Sequence, residues 1–242
     1  MAENALLSLS GVVTNIGAYH ILHGVDLAVR PGRVTMLLGR NGVGKTTTLR
    51  TIMGLWKPRA GSVRFDGAEI GGQETPDIAR RGIAYVPETM GIFSQLTVAE
   101  NMRLAATTST FDPARLEDVF RYFPILKTKW HDRAGLMSGG QKQMLAVARA
   151  LVEERRLMIV DEPTKGLAPS VIDDLIACIL EQKARGTTIL LVEQNFHMAR
   201  SVGDDVAVMD NGRVIHTGSM AELAEDEELQ TRLLGLSLDS HQ

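Results

Sequence analysis

Gly39-Arg40-Asn41-Gly42-Val43-Gly44-Lys45-Thr46 sets two glycines, a lysine and a threonine at the spacing Gly-x4-Gly-Lys-Thr. That spacing supports phosphate binding. The glycines let successive backbone N–H groups turn inward around an anion, and a following helix N-terminus adds partial positive charge. Lys45 can reach the terminal phosphates of a nucleotide, and the Thr46 hydroxyl can ligate Mg²⁺. A plain glycine turn between a strand and a helix would use some of the same residues. The flanks favour the cradle: Val34 to Leu38 reads as a buried strand, and Thr47 to Met53 as the helix that follows.

A second group of residues supplies what a bound phosphate needs. Leu157-Met158-Ile159-Val160 runs into Asp161 and Glu162. Phosphoryl transfer requires a cation on the phosphate oxygens and a group that orients or deprotonates the attacking water. Asp161, at the strand end, suits the metal, and Glu162 suits the base. On its own, a strand ending in Asp-Glu is commonly a strand meeting solvent. Beside a phosphate loop it reads as the partner of that loop.

Ser138-Gly139-Gly140-Gln141 precedes a helical stripe of apolar residues at 144, 145, 147, 148, 151 and 152. Ser138 can be a simple N-cap. Two glycines and a serine at a helix start also form an anion site. One nucleotide needs one cradle, so a second cradle makes sense if it serves a nucleotide held by another subunit.

The rest of the chain must hold these groups in place, and its patterning is that of an α/β fold. Leu6 to Val13, Ile21 to Val29 and Ser62 to Phe65 read as strands of a partly antiparallel sheet around the first core strand, Val34 to Leu38. Residues 97–150 read as mostly helical, with breaks at Asp112-Pro113 and Pro124. Strand and helix then alternate: 157–161, 170–185, 188–192, 196–202 and 205–209, with Asp210-Asn211-Gly212 as a hairpin turn.

Composition narrows the function classes. The 242 residues are 44% hydrophobic and 23% charged, ordinary for a globular protein. The longest aliphatic stretches, 157–160 and 189–192, are far shorter than a membrane span. Met1-Ala2-Glu3-Asn4 lacks the basic flank of a signal peptide, which implies a cytoplasmic chain. One cysteine, Cys178, excludes an internal disulfide framework. A net charge of −3 without long blocks gives no argument for nucleic acid. His20, His23, His131, His197, His216 and His241 lack metal-ligand spacing, Glu222 to Glu228 reads as a solvated helix face, Cys178 as an inert buried thiol, and Ser237 to Gln242 as a frayed tail.

In these motifs and their order, with Gly166-Leu167-Ala168-Pro169 after the acidic strand, the chain resembles the ATP-binding-cassette family. Met137 stands where the family's signature more often has leucine. The resemblance implies a single α/β domain over 1–242: a P-loop NTPase core, an N-terminal antiparallel β subdomain and an inserted helical subdomain at about 89–145. It implies ATP and Mg²⁺ as cofactors and a head-to-tail pair of ATPase subunits. Gly39, Arg40, Asn41, Gly42, Val43, Gly44, Lys45, Thr46 and Thr47 would bind the nucleotide of one subunit, with Ser138, Gly139, Gly140 and Gln141 of the other closing over it.

Finer details resemble the ATP-binding subunits of branched-chain amino acid importers. Tyr85-Val86-Pro87-Glu88 carries glutamate where most of the family has glutamine, which makes Glu88 a metal group with Thr46 and Asp161. Leu191-Val192-Glu193-Gln194-Asn195 carries glutamine where most have the switch histidine, so Gln194 would contact the γ-phosphate and join Glu162 in catalysis. Register against Ile21-Leu22-His23-Gly24-Val25 puts Ile16 where the family stacks an aromatic ring on adenine. Tyr19, three residues on, is expected to face the other way in an extended segment and to be a core or rim tyrosine. The implied partners are a second, related ATPase chain or another copy, membrane permease subunits in the groove near Glu88, and indirectly a periplasmic or extracellular solute-binding protein. The implied place is the cytoplasmic face of the inner membrane. The same engine in an exporter is the alternative, as is a soluble ABC ATPase of translation or DNA repair. The soluble class usually carries two cassettes or a long coiled-coil insertion, for which 242 residues leave no room.

Overall fold

The computed structural model describes residues 4–106 and 111–235. The polar tail from Ser237, with His241, lies outside them, as do Met1, Ala2 and Glu3.

Among the described residues the strands form two sheets. The first is antiparallel, in the order β2-β1-β4-β5, from β1 (Leu7–Ile16), β2 (Tyr19–Val29), β4 (Ala60–Phe65) and β5 (Ala68–Glu69). Its β4–β5 turn is Asp66-Gly67, both residues left-handed at φ 51° and 74°, which matches the twist of the flanking strands.

The second sheet has the order β10-β9-β3-β8-β7-β6. β3 (Val34–Leu38), β6 (Ile83–Val86), β7 (Leu157–Asp161), β8 (Thr188–Val192) and β9 (Asp205–Asp210) run parallel, and β10 (Arg213–Ser219) returns antiparallel on β9. Every residue of β3, β7 and β8 is buried, as expected of parallel strands covered on both faces. Alternate residues feed different clusters. Val34, Met36, Leu38, Val160 and Leu191 pack with the helices on one side. Leu37, Ile159, Leu190 and Val192 pack on the other, with Leu49 and Ile52 of α1 (Lys45–Ile52) and the antiparallel sheet beyond.

The remaining helices are α2 (Thr75–Arg80), α3 (Val98–Arg103), α4 (Pro113–Tyr122), α5 (Pro124–Thr128), α6 (Gly139–Leu151), α7 (Pro169–Ala184), α8 (Phe196–Val202), α9 (Met220–Glu225) and α10 (Glu227–Leu234). Val98, Met102, Val119, Phe123 and Leu126 of the helical segment join the cluster that covers the parallel sheet. The expected breaks at Asp112-Pro113 and Pro124 are helix starts: Asp112 caps α4, and each proline takes a first helical position. No helix among the described residues is long and apolar enough to cross a membrane.

Candidate functional site

The phosphate loop bridges β3 and α1. Gly39 has φ 142°, and a side chain there would run into the carbonyl oxygen of Met209. Gly44 has φ 109°, and a Cβ would come within 2.9 Å of the Leu22 side chain. Both positions therefore require glycine, for conformation and for space. The β9–β10 turn braces the loop from behind: Gly212 N–H donates to Val43 O at 2.9 Å, and His23 N–H donates to Gly212 O at 2.9 Å. The two sheets are thus tied together at the loop.

Lys45 is 4% exposed and donates to Gly39 O at 2.8 Å and Arg40 O at 3.0 Å. Burial pulls its ammonium below the usual lysine range, against the nearby carboxylates that raise it, Glu162 foremost. The Thr46 hydroxyl donates to Asp161 Oδ1 at 3.2 Å, and the Tyr85 hydroxyl donates to Asp161 Oδ2 at 3.4 Å. Fully buried, Asp161 is pushed up to about 6, chiefly by desolvation.

Glu162 has a left-handed backbone, φ 47°, a conformation that costs a residue with a side chain on the order of 1–3 kcal/mol. Its N–H donates to Val192 O on the neighbouring strand at 2.9 Å. The kink turns its carboxylate into the cleft, with Oε1 3.7 Å from Lys45 Nζ. Gln194 reaches it from the end of β8. The side-chain nitrogen of Gln194 donates to Glu162 Oε1 and to Asn41 Oδ1, each at 2.7 Å.

Gly42, Gly44, Lys45, Thr46, Glu88 and Glu162 line one cleft of about 380 Å³. The structure brings the predicted phosphate loop and both predicted catalytic residues together. Among the described residues, no group of three or more His, Cys, Asp or Glu side chains could hold a metal ion by itself. The oxygen donors of Thr46 and Asp161, with Glu88 across the cleft, do suit Mg²⁺. That ion takes one or two carboxylates and completes its shell with phosphate oxygens and water.

Ser138 to Gln141 line no part of this cleft. They form a capping box on α6: Gln141 N–H donates to Ser138 Oγ at 3.3 Å, and Ser138 N–H donates to Gln141 Oε1 at 3.0 Å. Within one chain this segment is the start of a helix.

One expectation is corrected. The chain reverses at Gly17-Ala18, so Tyr19 does not continue the extended segment of Ile16 but lies directly opposite it in the β1–β2 ladder. Directly opposed residues of an antiparallel pair share a face. At 76% exposure Tyr19 is a rim tyrosine, not a core one.

Two residues of the site were not singled out by the motifs. Glu193, 2% exposed, accepts four hydrogen bonds: from Thr164 N–H at 3.0 Å and its hydroxyl at 2.8 Å, and from Gln194 N–H and Asn195 N–H at 3.0 Å each. Burial raises its carboxyl above the usual range. It ties the segment after Glu162 to the segment carrying Gln194. A carboxylate directly after an aliphatic strand was its signal, as for Asp161. The other is Lys165, which pairs with Glu88 at 2.5 Å.

The family model described as ABC transporter matches residues 22–165, more than half of the chain. The chain belongs to the ABC transporter family. It is an ATPase of that family, built to power a transporter, and its fold is that of the ATP-binding cassettes. It is 38% identical to the high-affinity branched-chain amino acid transport ATP-binding protein BraG of Pseudomonas aeruginosa, over 95% of this chain and 100% of that one. It is 36% identical to the probable branched-chain amino acid transport ATP-binding protein LivF of Archaeoglobus fulgidus, over 90% and 93%. A solved ATP-binding subunit of an ABC transporter superposes with a TM-score of 0.81 at 33% identity, covering 97% of this cassette and 96% of that chain. A cassette solved in its ADP conformation gives 0.78 at 27% identity, over 93% and 96%.

Proposed function

We propose that this ATPase drives import of branched-chain amino acids or related small polar solutes. The observation that carries the chemistry is the convergence of Lys45 and Gln194 on Oε1 of Glu162, with Thr46 bonded to Asp161 beside them. The solute class rests on likeness to BraG and LivF.

In this reading Gly39 to Thr47 cradle the phosphates of ATP, with Lys45 at the terminal ones. Mg²⁺, when bound, neutralises charge on the phosphate oxygens, and Thr46, Asp161 and Glu88 hold it. Glu162 takes a proton from water as the water oxygen attacks the γ-phosphorus and the bond to the ADP oxygen breaks. Gln194 orients the carboxylate that does this. Ile16 contacts the adenine. Ser138, Gly139, Gly140 and Gln141 serve the nucleotide of a second ATPase subunit, a related chain or another copy. The helical region at about 89–145, with the groove near Glu88, receives the cytoplasmic helices of permease subunits. A solute-binding protein delivers the amino acid outside, and the cassette sits on the cytoplasmic face of the membrane.

The test is uptake of labelled leucine, isoleucine and valine by cells in which Glu162→Gln or Lys45→Ala replaces the wild-type chain. Both variants are expected to abolish uptake. Lys45→Ala is also expected to weaken ATP binding by about tenfold or more, since it removes a charge-assisted contact. Normal uptake of all three amino acids, with loss of a different solute, would overturn the solute assignment.

A further inference from the structure

The motifs assign no role to Lys165, yet its side chain lies in the nucleotide cleft. Lys165 lines the same 380 Å³ space as Gly42, Lys45, Thr46 and Glu162. Its Nζ is 2.5 Å from Glu88 Oε1 and 4.0 Å from Glu162 Oε2. The other oxygen of Glu162 faces Lys45 at 3.7 Å. The proposed base is therefore flanked by two ammonium groups, one on each carboxylate oxygen.

These two lysines differ in their freedom. Lys45 is buried and tied to two loop carbonyls. The Lys165 side chain is 63% exposed and holds only carboxylates at the cleft rim. Exposed ion pairs of this kind are weak and exchange readily. A lysine ammonium is a point charge on a flexible stem, able to move between acceptors. A terminal phosphate placed for attack by water held on Glu162 lies within reach of a group 4.0 Å from that carboxylate. It also carries more negative charge than the single carboxylate of Glu88.

We infer that Lys165 is a second phosphate-binding lysine, parked on Glu88 and drawn to the γ-phosphate, and that it makes the site discriminate ATP from ADP. The inference rests on the proposed phosphate-loop reading. It goes beyond that reading because the contact comes from the opposite wall of the cleft, 120 positions further along the chain than Lys45. ADP has no terminal group in that place and leaves Lys165 on Glu88.

The experiment measures binding of ATP and of ADP, by displacement of a fluorescent nucleotide from the full chain, in EDTA and again with Mg²⁺. EDTA removes any contribution of Glu88 through a metal. Lys165→Met keeps most of the stem and removes the charge. It is expected to weaken ATP about five- to tenfold and ADP less than about twofold, as for loss of one charge-assisted contact at an exposed site. Lys165→Arg should keep most of the preference. Unchanged ATP affinity in Lys165→Met, or an equal loss for both nucleotides, overturns the inference. Lys45→Ala runs in parallel and is expected to weaken both nucleotides by about tenfold or more. If it binds both normally, the phosphate-loop reading fails, which is a separate result from failure at Lys165.

Discussion

The side-chain amide of Gln194 donates to Glu162 Oε1 at 2.7 Å, and its second N–H donates to Asn41 at the same distance. One amide thus joins the proposed base to the phosphate loop. Its donors are spent within the protein, so in the proposed mechanism it holds Glu162 in place rather than contacting the γ-phosphate. A histidine there has a single free N–H when neutral and titrates near pH 6.5, whereas an amide does not titrate.

Gln194→Ala should therefore lower kcat about 10- to 100-fold, as expected for loss of one hydrogen bond to a charged group, and leave nucleotide Kd nearly unchanged. The wild-type rate should show no inflection from this position between about pH 6 and 8, and Gln194→His should restore activity with a new one. Steady-state kinetics of the assembled transporter decide it. A Gln194→Ala enzyme with wild-type kcat would mean that Glu162 is positioned by its backbone and the flanking lysines without Gln194.

Glu193 makes a second prediction. It accepts from Thr164 and from the backbone of Gln194 and Asn195, so it fixes two loops against each other. Glu193→Ala leaves those donors unmet in a buried place, at a cost of about 1–3 kcal/mol for each that finds no other partner. Glu193→Gln keeps one acceptor oxygen and sets an NH₂ against N–H groups. The expected order of kcat is wild type, then Gln, then Ala, with ATP affinity falling far less than kcat. Thermal melts run on the same samples separate this from global unfolding. Equal turnover in all three folded proteins would reduce Glu193 to a packing residue.

The strands that carry the chemistry were legible because β3, β7 and β8 are buried on both faces and read as unbroken aliphatic runs. Asp161 and Glu162 followed from the run that ends on them. The segments missed are short. The six residues of α2 and the four of β6 give periodicity too little length to stand out. The Tyr19 error has a different cause. Gly17-Ala18 is a two-residue reversal without the Asn-Gly or Asp-Gly pair that marks the other hairpins, so the sequence carries no turn signal there. The Lys165–Glu88 pair spans 77 positions and belongs to no motif, so only the fold brings it together.

The corrected place of Tyr19 yields a third prediction. Leu22 of β2 packs on Gly44 of the phosphate loop, and Ile21 lines the cleft. The hairpin end at Ile16 and Tyr19 is three residues further out than Leu22 on the Tyr19 side, about 10 Å along a strand. A base extending from the cradle can lie against both side chains. Aromatic stacking is worth about 1–3 kcal/mol per base and is indifferent to base edges. Tyr19→Ala should weaken ATP and GTP together, about five- to a hundredfold, with Ile16→Ala costing less. Competition of the two nucleotides for the wild-type site should give similar affinities. A strong preference for ATP, or no loss in Tyr19→Ala, would assign the base to other residues.

The last prediction concerns how the helical segment is fastened. Asp118 and Arg121 of α4 meet Glu181 of α7 and Arg185, which caps the C-terminus of α7, in a closed ring of four ion pairs: 118 with 121 and 185, and 181 with 121 and 185. Hydrogen bonding from Arg185 holds Asp118 at about 2, and that from Arg121 holds Glu181 at about 2, against ordinary values of 3.8 and 4.5. Both folded-state values are depressed, so the folded chain binds fewer protons than the unfolded one as pH falls through the ordinary carboxylate range. The stabilisation is full above the unfolded values and is lost as pH falls from about 5 toward 2. Glu181→Gln removes one of the two carboxylates and leaves Arg121 and Arg185 sharing the other. Its Tm should lie below that of wild type by a constant amount above about pH 5, and the gap should close toward pH 2. Because the ring is partly exposed, salt should narrow the gap at neutral pH as well. A gap that persists unchanged at pH 2.5 would mean that packing of the Glu181 side chain, not its charge, joins α4 to α7.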